Sequence, residues 1–310
     1  MFRRSISLTA SAIASSAVNL TPRLPGSPRQ FSAVARSSSS RVLLKSTTIF
    51  ASANALGFGI SVLTGSHYHL DLLGTGVFSV AALATMGQGE LRQLLSAGSI
   101  ALWSLKLSGF LLYRVLQTKH DLRLSEILST NSGAFGFWFI SAVWGSLVIL
   151  PHVLSAGIPV GGRPRFGALT DVLGLILFLF GIWLETEADR SKWDFKTDPM
   201  NKGKFCDVGV WKSSQHPNWA GNLILWTGIW LLNAQTLCAA PRGRGVAFLL
   251  AGALSPLFLL ALFYGQATDK IAGQMALADA RYGADPAYRA WRESTPLVLP
   301  NAQSILRAFS

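Results

Sequence analysis

Seven apolar runs separated by short polar segments constrain this chain more than any other feature. They lie at 47–64, 71–87, 94–116, 134–157, 169–187, 219–238 and 245–266. A helix that crosses a bilayer needs about 20 apolar residues, which the third, fourth, sixth and seventh runs supply. The first two are richer in Gly and Ser. Hydrocarbon offers no partner to free N–H and C=O groups, so each run is expected to be helical. Pro151 and Pro256 fall inside two runs and predict kinks there. Only 14% of the residues are charged, against about 25% in soluble domains. The expectation is an all-α, multi-pass transmembrane bundle of about seven helices in contact with a lipid bilayer.

Charge is unevenly spread. No Asp or Glu precedes Asp71, while residues 1–46 carry Arg3, Arg4, Arg23, Arg29, Arg36, Arg41 and Lys45. That head contributes +7 of the net +12. It is Ser-rich and broken by Pro22, Pro25 and Pro28, the composition of an organelle transit peptide. Arg29-Gln30-Phe31-Ser32 resembles a mitochondrial processing site, with cleavage after Phe31. The expected destination is a mitochondrial membrane, with a plastid membrane and then the endoplasmic reticulum as alternatives. A disordered basic tail is the other reading of the head. The division is therefore 1–46 head, 47–300 membrane domain and 301–310 tail. With the head set aside no basic face remains, which argues against a nucleic-acid partner. Cys206 and Cys238 form no C-x-x-C pair and build no disulfide framework.

If all seven runs span, segments 117–133, 188–218 and 267–310 share one face. That face holds thirteen Lys and Arg against five on the other, Arg92, Arg163, Arg165, Arg242 and Arg244. The positive-inside bias makes the richer face the cytosolic or matrix side.

The same face gathers the reactive groups. Glu185 and Asp189 are four apart, so they project from one side of the fifth helix. Like charges so close require a cation, a donor-rich ligand or a shared proton. Lys192 and Lys196 continue that stripe, followed by Asp198, Asn201, Lys202 and Lys204. Then Gly209–Asn222 places Trp211, His216, Asn218 and Trp219 at the mouth of an apolar helix. Carboxylates hold ribose hydroxyls or a carboxamide, cations hold phosphates, and His, Asn and Trp fix a flat ring. The set suits a dinucleotide at the membrane surface. It also suits a salt-bridged interfacial loop flanked by a Trp belt. Gly57-x-Gly59 and Gly74-x-Gly76 lack the third glycine of G-x-G-x-x-G and read as helix-packing positions. No Walker A motif, G-x-S-x-G elbow or His spacing suited to a metal occurs, so no metal site is expected; His67-x-His69 reads as interfacial.

Several spaced motifs together resemble the DUF1295 branch of the membrane family related to steroid 5-alpha-reductases. They are Glu185-x-x-x-Asp189, Phe195-Lys196, Asp198-Pro199, Asn201, Gly203-Lys204 and Gly209-x-Trp211-x-x-x-x-His216-Pro217-Asn218-x-x-Gly221. Upstream, Trp103-x-x-Lys106-Leu107, Arg114 and Asp121-x-Arg123 fit the same pattern. Downstream, Ala278-Asp279-x-Arg281-Tyr282-Gly283, Tyr288, Thr295-Pro296 and Pro300 complete it. The resemblance covers about residues 50–300. It implies a membrane-embedded reductase in which NADPH delivers hydride to an activated C=C of a lipophilic sterol-like, enone or isoprenoid substrate. Glu185, Asp189, Lys196, Trp211, His216, Asn218, Asn222, Arg281 and Tyr282 become cofactor-side residues. Tyr113, Tyr264 and His216 are candidates for the proton donor. Gln88-Gly-Glu90 is similar to the Gln-Glu pair that grips steroid ketones, with different spacing.

The chain departs from that branch at four places. Gln215 stands where the branch has arginine, Trp219 replaces tyrosine, and Asn222 replaces an acid. Asp269–Met275 replaces an S-G-x-P-x-x-E element. Membrane methyltransferases that use S-adenosylmethionine share an R-H-P-x-Y-x-G motif on a similar scaffold and give an alternative. A catalytically silent protein that keeps the fold gives a third. The sequence leaves the oligomeric state open.

Overall fold

The computed structural model describes residues 28–87, 90–118, 127–271 and 274–309. Its long helices are α1 (Pro28–Thr64), α4 (Leu91–Thr118), α5 (Asn131–Val148), α7 (Leu169–Thr197), α8 (Pro217–Cys238) and α9 (Gly245–Ala267). Shorter ones are α2 (Leu70–Gly74), α3 (Val77–Thr85), α6 (Leu150–Ala156), α10 (Gln274–Tyr282), α11 (Pro286–Ser294) and α12 (Ala302–Phe309). No strand occurs among the described residues.

Contacts near the helix ends fix the topology. Ser39 Oγ of α1 donates to the Gly157 carbonyl just past α6, and Trp138 Nε1 of α5 donates to Ser61 near the other end of α1. Arg92, at the start of α4, bonds Asp171 at the start of α7 and Thr236 near the end of α8. Trp230 of α8 bonds the Leu249 carbonyl of α9, and Trp219 stacks on Phe263, so these two helices are antiparallel. Thus α1, α4, α7 and α9 run one way, while α2–α3, α5–α6 and α8 return. One end of the bundle carries the loop before His216; the other carries Arg92.

The up-and-down path matches the seven runs, but their spanning capacity differs. Among the described residues four helices are long and apolar enough to cross a membrane, and five if the bent pair α5–α6 is one span. The second run is only the short stretch Leu70–Thr85, interrupted between Gly74 and Val77. The fourth bends by 54°, because Pro151 at the start of α6 cannot continue the ladder of α5. The sixth, α8, has the length but carries Asn222, Asn233 and Gln235 in its interior. Its position explains this. It is the central helix, and its polar groups face other helices rather than lipid. Pro256 lies inside an unbroken α9. The first run begins earlier than expected, since α1 starts at Pro28 and takes in the Arg29–Ser32 motif. The rest of the basic head, residues 1–27, lies outside the described residues.

An apolar belt surrounds the bundle. Ile140, Leu179, Phe180, Trp183, Leu250 and Leu257 are all exposed, as lipid-facing positions are.

The tightest pairing joins α7 to α8 through glycines seven residues apart. A Cβ on Gly181 would sit 2.5 Å from the Leu225 nitrogen, and one on Gly221 would sit 2.5 Å from the Glu185 nitrogen. Gly174 and Gly228 repeat the arrangement further along. Small residues let the two backbones touch, and this sets how closely Glu185 and Asn222 face each other. Of the early glycines, Gly57 lies directly under the Trp138 ring, whereas Gly59 meets open space. His67 and His69 close the end of α1 through Ser61, with His69 also bonding the Gly57 carbonyl.

Candidate functional site

At the His216 end, α4, α7 and α8 converge on Glu185. This carboxylate is 2% exposed. Its Oε1 accepts from Asn222 Nδ2 at 2.8 Å and Trp103 Nε1 at 3.2 Å, and its Oε2 pairs with Lys106 at 2.8 Å. Lys106 Nζ also lies 4.0 Å from Asp189, and Asn218 Nδ2 donates weakly to Asp189 at 3.4 Å. Lys106 is the cation between the two carboxylates, paired closely with Glu185 and at the limit of pairing with Asp189. Arg114 and Lys192 add positive potential near Asp189.

Several buried polar atoms here lack a partner in the protein: His216 Nε2, Asn218 Oδ1, Asn222 Oδ1 and Trp226 Nε1. Asn218, Asn222 and Trp226 are four apart on one helix, so they form a stripe about 12 Å long running inward from the surface. Trp226 is fully buried and packs against Trp103 at 5.1 Å and Phe78 at 5.6 Å. Its indole N–H was missed from sequence because a tryptophan in an apolar run reads as packing. Its four-residue interval from Asn222 was the available signal.

His216 caps α8, and its ring stacks on Trp219 at 3.9 Å; Trp219 in turn stacks on Phe263. Burial pulls the imidazole pKa down from 6.5 to about 3, with Lys192 and Arg292 adding to the shift. It is therefore neutral at pH 7, acting as a flat ring and a hydrogen-bonding group rather than a cation. The linkage has a definite sign. Above pH 6.5 both folded and unfolded chains leave this His neutral; below it the unfolded chain binds a proton that the folded chain does not. Stability from this group is thus complete above pH 6.5 and is lost as pH falls toward 3. His216→Gln is expected to flatten that part of a melting-temperature profile in detergent, and an unchanged profile would contradict the assignment.

The remaining expected residues divide. Lys196 Nζ donates to Tyr282 Oη at 2.9 Å and to the Lys204 carbonyl, and Arg281 lies over the Tyr282 ring. These form a separate exposed patch with Phe205 rather than part of the Glu185 cluster. Trp211 is buried, and its indole N–H is spent on the Ala188 carbonyl while Lys192 covers its ring at 4.1 Å. It positions the loop. Tyr113 is half exposed on α4 against Trp193, and Tyr264 packs against the apolar core. Their contacts are with these aromatic and apolar side chains. Lys119, Asp121, Arg123 and Gln88 lie outside the described residues.

Two departures from the family pattern acquire structural roles. Gln215 is 4% exposed. Its amide donates to the main-chain carbonyls of Arg292 and Thr295, its own N–H bonds Pro296, and neighbouring Ser214 bonds Val298. Through these bonds it anchors the C-terminal segment, while its Oε1 has no partner in the protein. Asp269 accepts from the Met275 N–H near the start of α10. The expected tail is also structured, since α12 packs on residues 209–212.

A second polar system, at the Arg92 end, was not anticipated. Arg92 and Asp171 form a buried bidentate pair. Beside it Gln93, Ser155, Asn233, Ser96 and His152 link α4, α6 and α8.

No curated protein and no solved structure matches this chain. The family described as "Protein of unknown function (DUF1295)" matches residues 57–295, which include α4, α7, α8 and the whole Glu185–His216 cluster. With most of its length covered by that match, the chain belongs to the DUF1295 family.

Proposed function

We propose that the protein is a membrane oxidoreductase that uses NADPH to reduce an activated C=C in a lipophilic substrate. The observation that carries this reading is the stripe of unpartnered polar atoms, Asn218 Oδ1, Asn222 Oδ1 and Trp226 Nε1, leading inward from His216. Such a stripe suits a long ligand with an anionic end at the surface and a flat, neutral, polar end within the bundle. Lys106, Arg114, Lys192 and Arg292 surround its mouth and favour phosphates. His216, backed by Trp219, offers a flat ring at the mouth, and the aromatic wall of Phe78 and Trp103 excludes water from the deep end. NADPH would supply a hydride; the residues named here bind and orient. The cation-rich mouth favours a polyphosphate over S-adenosylmethionine, which has no phosphate and carries a sulfonium. The proposed setting is a mitochondrial membrane, with residues 1–31 removed.

Thermal shift of the detergent-purified protein tests the reading, comparing NADPH, NADH and S-adenosylmethionine. NADPH at 100 times its Kd is expected to add about 2.7 kcal/mol of stability. Asn218→Ala and His216→Ala should lose that shift while remaining folded, and Asp189→Asn should weaken binding by about 1–3 kcal/mol. A shift with S-adenosylmethionine alone would favour the methyltransferase. Wild-type shifts in all three variants would remove the cofactor from this site.

A further inference from the structure

On the outer face of the bundle a groove of 470 Å3 runs between α1 and α5. It is lined by Ala51, Asn54 and Phe58 on one side and Phe135, Trp138 and Phe139 on the other. Asn54 is 2% exposed. Its Nδ2 donates to the Phe50 carbonyl at 2.8 Å. That bond fixes the amide orientation, because only the NH2 side can meet a carbonyl. Asn54 Oδ1 is left without a partner. A buried acceptor in that state is destabilising unless a donor reaches it.

The depth of this acceptor narrows what can satisfy it. The apolar part of α1 is Ser38–Thr64, so its centre is residue 51 and Asn54 lies three residues beyond. At 1.5 Å per residue that is about 5 Å along the helix. Lipid headgroups lie about 15 Å from the bilayer midplane. Phospholipid tails reach the groove but carry no donor, and headgroups that carry donors do not reach it. No ionisable side chain lines the groove, so a charged ligand has no counter-ion there.

We propose that this groove binds a lipophilic small molecule with a hydroxyl set within its apolar body. The hydroxyl donates to Asn54 Oδ1, and the four aromatic rings cover the hydrocarbon. The volume is within the range of about 300–1,000 Å3 found for small-molecule sites. The groove is distinct from the Glu185 cluster. Phe50 is fully buried behind it, and edge-to-face contacts from Phe50 to Phe78 at 4.8 Å and Phe78 to Trp103 at 5.3 Å close the path between the two.

The test uses the full chain in phosphatidylcholine nanodiscs and two radiolabelled probes. One is nerolidol, an isoprenoid with an internal hydroxyl; the other is its O-methyl ether, which has no donor. The wild type is expected to bind the alcohol about tenfold more tightly than the ether. Asn54→Leu should erase that preference, and Val143→Trp, which fills the groove from its exposed side, should weaken both probes. Equal affinity for the two probes, a preference that survives Asn54→Leu, or no saturable binding would each overturn the proposal. NADPH-induced thermal shift on the same samples should be unchanged in both variants, so failure here leaves the cofactor reading standing, and the reverse.

Discussion

Gly221→Ala should destabilise the protein by about 3 kcal/mol, and Gly221→Leu should yield no folded protein. One added methyl group ordinarily counts for little, but here its neighbours are backbone. A Cβ on Gly221 would lie 2.5 Å from the Glu185 nitrogen and 2.7 Å from the Gly181 carbonyl oxygen. No side chain can rotate away to relieve that overlap, so α7 and α8 must separate. Separation also breaks the Asn222–Glu185 hydrogen bond at 2.8 Å, which joins the same two helices one residue further on. Any Gly221→Ala protein that stays folded should therefore also lose ligand response. Gly59 and Gly98 provide internal controls, because an added Cβ there meets nothing within 4 Å. Alanine at either helical position should stabilise by about 0.5–1 kcal/mol through lower backbone entropy in the unfolded chain. Melting in detergent, followed by size-exclusion chromatography, reads all three. Gly221→Ala melting with the wild type would disprove close α7–α8 contact.

The helical path was legible in the sequence because hydrophobic runs of this length have few other solutions. Whether each run spans was less legible. Gly74 and Gly76 shorten the second run, and the asparagines of α8 are tolerated only because that helix is enclosed by others, a tertiary fact. The glycine pairs at 174/181 and 221/228 were visible as intervals, but their meaning depends on which helices meet. In the site, the Glu185–Asp189 pair followed from helical spacing, while Lys106 entered through family resemblance rather than local pattern. The anchoring role of Gln215 was not legible, because its partners Arg292 and Thr295 are about 80 residues away in sequence. Tyr282 and Arg281 were grouped with Glu185 by motif, yet the fold gives them to a different surface patch.

Arg92→Met should cost about 3–5 kcal/mol, the range for removing one partner from a buried ion pair. Arg92 and Asp171 are 1% and 0% exposed. Every guanidinium N–H is used: Asp171 takes two at 2.7 and 2.9 Å, the Pro164 carbonyl one at 2.7 Å, Thr236 one at 3.0 Å and the Arg165 carbonyl one at 2.9 Å. Without Arg92 the Asp171 carboxylate keeps only the main-chain N–H groups of Gly167 and Ala168, and the Pro164 and Arg165 carbonyls lose a donor. Lysine should fare little better, since one ammonium cannot reproduce a planar fork with five donors. The double variant Arg92→Met/Asp171→Leu should cost less than the two single changes together, because neither charge is then stranded. Ligand binding separates this pair from the other polar cluster. Asp171 precedes Glu185 by fourteen residues on α7, about 21 Å along the helix. The folded fraction of Arg92→Met should therefore keep wild-type NADPH affinity while melting far earlier. The opposite pattern, unchanged melting with lost affinity, would move the binding site to the Arg92 end of the bundle.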